Sequence, residues 1–117
     1  MSYLSFIMHM RRYLDLTHCE FTILIYLADQ VDYFECNNMQ VSRRNFVDLT
    51  GFSPGAIAKG LRLLRDKNFI ISKMQYDGET RGRDASVFSI RIDKMQEYIK
   101  NHHIEAWEKY IKEGSEG

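Results

Sequence analysis

VDLTGFSPGAIAKGLRLLRDKNFI, residues 47–70, contains a helix stop, a helix start and a second stop in quick succession. Gly51 is placed to end one helix in the left-handed conformation that costs glycine nothing. Ser53 is a cap residue, and Pro54 suits the first turn that follows, where its missing N–H is not needed. Ile57, Leu61 and Leu64 then recur at the i, i+4, i+7 spacing of a single helical face. Asn68, second best to glycine in the left-handed position, closes the segment. The face opposite Ile57 carries Gly55, Lys59 and Arg62, flanked by Ala56 and Ala58. The outward face of this helix therefore shows largely bare backbone.

Upstream, Ser42 caps a helix running from Arg43 to Thr50, and the preceding MQV is a short strand. Thr17 followed by Glu20 is a capping box. The helix it opens runs to about Phe34. Phe21, Leu24, Ala28 and Val31 make one apolar stripe, and Ile23, Tyr26 and Tyr33 a second, so this helix is expected to be buried on several sides. Downstream, FIISKMQY alternates with Ile70, Met74 and Tyr76 on one face. SVFSIRI alternates with Phe88, Ile90 and Ile92 inward. The polar tip DGETRGRDA between them makes the pair a hairpin. Asp93 and Gln96 give a further cap signal, opening a last helix over about residues 93–112. Met95, Ile99, Trp107 and Ile111 are its apolar positions, with Tyr98 and Tyr110 beside them.

That order of elements, with three residues between the paired helices, predicts an α+β fold: a winged helix-turn-helix with a two-stranded wing hairpin and an extra C-terminal helix. The chain reads as one domain, 1–117, with its core in about 17–92. Val47, Gly51 and Ile57 stand where such motifs have a small residue, the turn glycine and a branched apolar residue. LRDKNFI, residues 64–70, stands where bacterial winged-helix proteins have Leu-x-x-x-Gly-Leu-Ile. On these residues the chain resembles the winged-helix group of bacteria, phages and plasmids, both the MarR-type regulators and the DNA-binding modules of replication proteins. Val47 replaces the usual Ala and Asn68 the usual Gly. Gly60 stands where an aliphatic is preferred, at a cost of up to ~1 kcal/mol relative to Ala.

Composition fits an ordinary globular domain, with 44% hydrophobic and 27% charged residues in a chain of 117. No apolar run approaches the ~18 residues of a membrane span, and the basic pair Arg11–Arg12 follows the apolar stretch, the wrong order for a signal peptide. A cytoplasmic location without membrane partners is expected. Cys19 and Cys36 read as unbridged structural thiols, since one helix holding both would separate them by about 25 Å. Net charge is zero, yet from Ser42 to Arg91 ten basic residues face five acidic ones, leaving +5 there and −5 elsewhere. His102 and His103 are adjacent, so on a helix their rings point ~100° apart and do not share a metal. No phosphate-binding glycine loop, nucleophile elbow or H-E-x-x-H is present. No enzyme activity, cofactor or metal is expected.

The resemblance implies double-stranded DNA as partner. The helix begun by Ser53 and Pro54 would enter the major groove through Gly55 and Ala56, with Lys59 and Arg62 as polar readers. Arg43 and Arg44 would lie over the phosphate backbone, and Arg81 and Arg83 of the wing tip would reach the minor groove. Apolar residues on the first and last helices, Ile23, Tyr26, Tyr33, Ile99, Trp107, Tyr110 and Ile111, are expected to form a homodimer interface, the alternative being that the C-terminal helix packs on the first helix of its own chain. A small dimeric transcriptional regulator binding a specific sequence is the leading expectation. The alternatives are a phage or plasmid replication or maintenance factor, and a winged-helix module that docks a protein partner without DNA.

Overall fold

The computed structural model describes residues 2–74 and 85–116. Thr17 and Glu20 form the expected reciprocal cap: Thr17 Oγ1 accepts from the Glu20 amide and Glu20 Oε1 accepts from the Thr17 amide, both at 3.2 Å. Helix α2 (His18–Phe34) follows and buries Phe21, Ile23, Leu24, Leu27, Ala28 and Val31. It is the axis of the molecule, packed by other elements on more than one side, as its double apolar pattern requires.

One neighbour lies in the N-terminal segment, ahead of the expected core. Helix α1 (Tyr3–Met10) buries Phe6, Ile7 and Met10 and packs along α2. Its free amides are satisfied twice over. Ser2 Oγ accepts from the Ser5 amide at 2.9 Å, and the Asp32 carboxylate, from α2, accepts from the Tyr3 and Leu4 amides at 2.8 and 2.9 Å. A 3₁₀ turn (Arg11–Tyr13) and the fully buried Leu14 then bring the chain to Asp15, which adopts a left-handed φ of 52°. The core therefore starts at Phe6, before the expected boundary at residue 17.

Strand β1 (Met39–Ser42) leads directly into α3 (Arg43–Thr50), capped by Ser42 Oγ and closed by Gly51 at φ 77°. Helix α4 (Pro54–Asp66) has Ser53 as its cap, with Pro54 in the first turn. Asn68 takes the positive φ expected of it, 62°, and β2 (Ile70–Met74) and β3 (Ala85–Ile90) follow. The three strands form an antiparallel sheet in the order β1-β3-β2, with Met39 opposite Phe88 and Ile70 opposite Ile90. Ahead of β1, the Asn37 side-chain amide extends the ladder. It donates to the Ile90 carbonyl and accepts from the Ile90 amide, each at 2.8 Å. The chain is thus an α+β protein with a small antiparallel sheet covered by helices. Phe46 of α3 meets Phe88 of β3 edge-on, with ring centroids 5.5 Å apart.

The C-terminal region departs from the expectation in two ways. Ile92 is not the last inward residue of a strand but the first of α5 (Ile92–His102), and Asp93 is no cap. Asp93 instead chelates Arg91, at 3.0 and 2.8 Å, and this pairing holds its carboxyl below the ordinary carboxylate value. The single helix of 93–112 is two: the backbone leaves helical geometry at His103, and α6 (Ile104–Glu116) begins anew.

Gly60 lies where α4 packs on α2, with no room for a side chain between them. It is buried, and a Cβ built on it would lie 2.9 Å from Ile23 Cδ1 and 3.1 Å from Cys19 Sγ. The Cys19 thiol also donates to the Ala56 carbonyl at 3.4 Å. Gly60 is thus a packing residue, and the intrinsic helix penalty it carries is offset by close contact. Gly60→Ala should destabilise the protein by about 1 kcal/mol, because the terminal methyl of fully buried Ile23 must shift within the core to admit the new Cβ. Removing that methyl as well, in Gly60→Ala/Ile23→Val, should leave the protein no less stable than Ile23→Val alone. Urea denaturation of the four proteins of this cycle measures the coupling, and strictly additive losses would refute the contact.

Candidate functional site

The basic residues singled out by sequence lie on α3 and α4, and their exposure follows from helical geometry. On α4, Ile57, Gly60, Leu61 and Leu64 turn inward, which forces Gly55, Lys59 and Arg62 into one outward row at i, i+4, i+7. Ser53 and Pro54 are exposed at the head of this row, and Asp66 lies at its far end. Arg43 and Arg44 are exposed in the first turn of α3. The register pairs Ser42 with Ala85 and Met74 with Ser86, so this turn stands at the sheet end from which residues 75–84 depart. Arg81 and Arg83, with the acids of the tip, lie outside the described residues.

Over residues 42–74, seven basic side chains face two acidic ones, Asp48 and Asp66. Among the described residues Arg43, Arg44, Lys59, Arg62 and Lys73 have no carboxylate partner, and Arg65 donates only to Ser72 Oγ, at 3.2 Å. Three other cations have carboxylate partners: Lys67 pairs with Glu20, Arg91 with Asp93, Lys94 with Glu97. Arg11 covers the Phe21 ring at 4.1 Å. Helices α3 and α4, both capped, thus carry exposed cations that outnumber their acids, a charge balance suited chemically to an extended anion.

Of the other small residues of α4, Ala56 is half-buried and turns its carbonyl to Cys19, so with Gly60 it belongs to the helix–helix contact. Burial and the neighbouring Glu20 charge push the Cys19 thiol up in pKa, which keeps it neutral. Gly55 differs: it is exposed, and a Cβ there would meet nothing within 4 Å.

Lys67 is the anchor of α4. Its Nζ donates to Glu20 Oε2 and to the Asp15 carbonyl, both at 2.9 Å. Glu20 is only 1% exposed, so this charge is indispensable to it. The Asp15 carboxylate in turn accepts from Tyr98 Oη and lies 3.3 Å from His103 Nε2. This cluster joins the turn before α2, the end of α4 and the break between α5 and α6. Sequence reasoning missed it because its members are distant in the chain and individually ordinary.

The proposed dimer residues divide. Ile23 and Ile99 are fully buried in the protomer's own core, so neither is available to a partner. Tyr26 is half-buried against Phe46, with ring centroids 5.8 Å apart, and Tyr110 meets Phe6 edge-on at 6.0 Å. Trp107 is half-buried beside Tyr110. Tyr33 and Ile111 are exposed, joined by Phe34 and Ile104. A cleft of about 500 Å³ lies at the start of α6, lined by Tyr13, His102, His103 and Lys109 among others. Its histidines are engaged, His102 with the Tyr98 carbonyl and His103 with Asp15. Among the described residues no cluster of His, Cys, Asp or Glu has the makings of a metal site, and no helix is long and apolar enough to cross a membrane. Compared with protein-family models, curated proteins and solved structures, the chain matches none.

Two predictions follow from the cluster at Asp15. Lys67→Met leaves the Glu20 carboxylate buried without a counter-charge, and should cost about 2 kcal/mol in urea denaturation, less than for a pair wholly shut off from water. Tyr98 bonds to Asp15 in a way that lowers the pKa of the carboxyl and pushes that of the phenol up to about 12. The carboxyl contributes stability above its ordinary value of 3.8, lost as pH falls through its lower folded value. The phenol contributes stability below its ordinary value of 10.0, lost as pH rises towards 12. Tyr98→Phe should therefore cost about 1 kcal/mol at pH 7, moderated by the solvent around Asp15, and flatten both limbs of the stability–pH profile.

Proposed function

We propose that the chain is a winged helix-turn-helix protein that binds double-stranded DNA, acting as a small sequence-specific transcriptional regulator. The observation that carries this reading is the row of cations on α3 and α4, uncompensated among the described residues although acidic residues are plentiful elsewhere on the chain. In support, the two helices are joined by three residues, the first a left-handed glycine, and two antiparallel strands follow α4. In this reading α4 enters the major groove with Lys59 and Arg62 turned to base edges. Arg43 and Arg44 neutralise phosphates beside it. Lys67 stays out of the interface, because its charge is consumed by Glu20. A replication or maintenance factor would use the same face on repeated sites.

The reading in which the domain docks a protein draws on the exposed, edge-on pair Tyr33 and Phe34, at 78% and 56% exposure. Of the residues expected at a homodimer interface, Tyr33 and Ile111 are the exposed ones that remain once Ile23 and Ile99 are assigned to the core.

Selection from random duplexes, with solution mass measured in parallel, tests the proposal. An enriched sequence is expected, two-fold symmetric if the protein is dimeric. Arg62→Ala should weaken binding to it by about 5- to 150-fold, the worth of one bidentate base contact, and relax the preference at one position. Arg43→Ala should weaken all duplexes alike and reduce the slope of log affinity against log salt by about one. Recovery of no preferred sequence would overturn the sequence-specific reading. Unchanged salt slopes in both variants would favour the protein-docking one.

A further inference from the structure

The two glycines of α4 have opposite surroundings. Gly60 faces α2, and any side chain there collides with Ile23 and Cys19. Gly55 sits five residues earlier, exposed, with open space where its Cβ would be and a φ outside the left-handed region. The fold of the protomer therefore gives no reason for glycine at 55, and alanine would make the better helix. Gly55 nevertheless heads the row that continues with Lys59 and Arg62, which have no carboxylate partner among the described residues. It is the one position in that row where the helix surface is bare backbone.

We infer that Gly55 sets the distance at which α4 seats on the duplex, its Cα lying in van der Waals contact with the nucleic acid. This rests on the DNA-binding reading above and deepens it. With a side chain at 55 the helix would be held off by more than an ångström, and Lys59 and Arg62 would lose the 2.7–3.2 Å geometry that hydrogen bonds to bases require. Readout through this helix then depends on a close fit of backbone to groove, with two long cations reaching past it. Specificity comes from how near the helix can come as well as from which groups it presents.

The inference makes stability and binding move in opposite directions. Gly55→Ala should raise Tm by about 2 to 5 °C, since the native backbone accommodates alanine and the unfolded chain loses freedom. The same substitution should weaken duplex binding about 10-fold, and Gly55→Leu about 100-fold, as expected for overfilling a close contact. Affinity is measured on the selected duplex, or on a mixed-sequence duplex of about 30 bp at ~50 mM salt if selection enriches none. Binding of both variants equal to that of the unaltered protein would overturn the inference and leave the DNA-binding reading standing. A Tm lowered by alanine would also overturn it, because the glycine would then be a requirement of the fold. Failure of the unaltered protein to bind any duplex at low salt would overturn both.

Discussion

A carboxylate with almost no access to water sits at the start of the central helix, and much of the architecture answers to it. Glu20 caps α2 through its Oε1, and its other oxygen needs a cation because a buried charge left alone costs several kcal/mol. Lys67 supplies it from the far end of α4. Once Lys67 is held there, its remaining reach goes to the Asp15 carbonyl, and Asp15 holds Tyr98 and His103. One electrostatic requirement at the N-terminus of α2 thus positions α4 lengthwise and binds α5 and α6 to the N-terminal turn. Close packing at Gly60 positions α4 laterally. Between them, the outward row of α4 is held by a rigid scaffold, the arrangement that a surface for recognition needs.

The local grammar of the chain was legible wherever a short-range rule controls it. Thr17, Ser42 and Ser53 cap the helices expected of them, and Gly51 and Asn68 take the left-handed turns. Each of those outcomes depends on backbone groups within a few residues. The errors arose where tertiary contacts outvote local signals. Asp93 looked like a cap, but Arg91 competes for its carboxylate. Ile23 looked surplus to one core, but it is the residue that α4 closes on at Gly60, a contact helical spacing within α2 does not reveal; Ile99 is likewise fully buried. The signal for α1 was present in Ser2 followed by Phe6, Ile7 and Met10, but its other cap, Asp32, lies about thirty residues away.

The puzzle of the bare helix face divides in the same way. Periodicity alone groups Gly55, Ala56, Ala58 and Gly60 as small residues around a polar row. Structure separates them by what they touch: Gly60 and Ala56 serve α2, and Gly55 touches nothing. Helical spacing says which residues share a face. It does not say how close another helix comes, because that distance is set by side chains elsewhere in the sequence.

The Asp15 cluster also bears on the order in which the chain acquires its structure. Asp15 is bonded to residues 83 and 88 positions further on, and to Lys67 at 52. Helices α1 and α2 lie adjacent in sequence and pack on each other, so that pair can assemble early from nearby residues. The turn between them, by contrast, gains its polar partners only when nearly the whole chain is present. During synthesis a helical hairpin would thus emerge with its connecting turn unsecured, and the last helices would lock it. Amide exchange around Leu14 and Leu16 would report that late closure, separately from the protection of the hairpin itself.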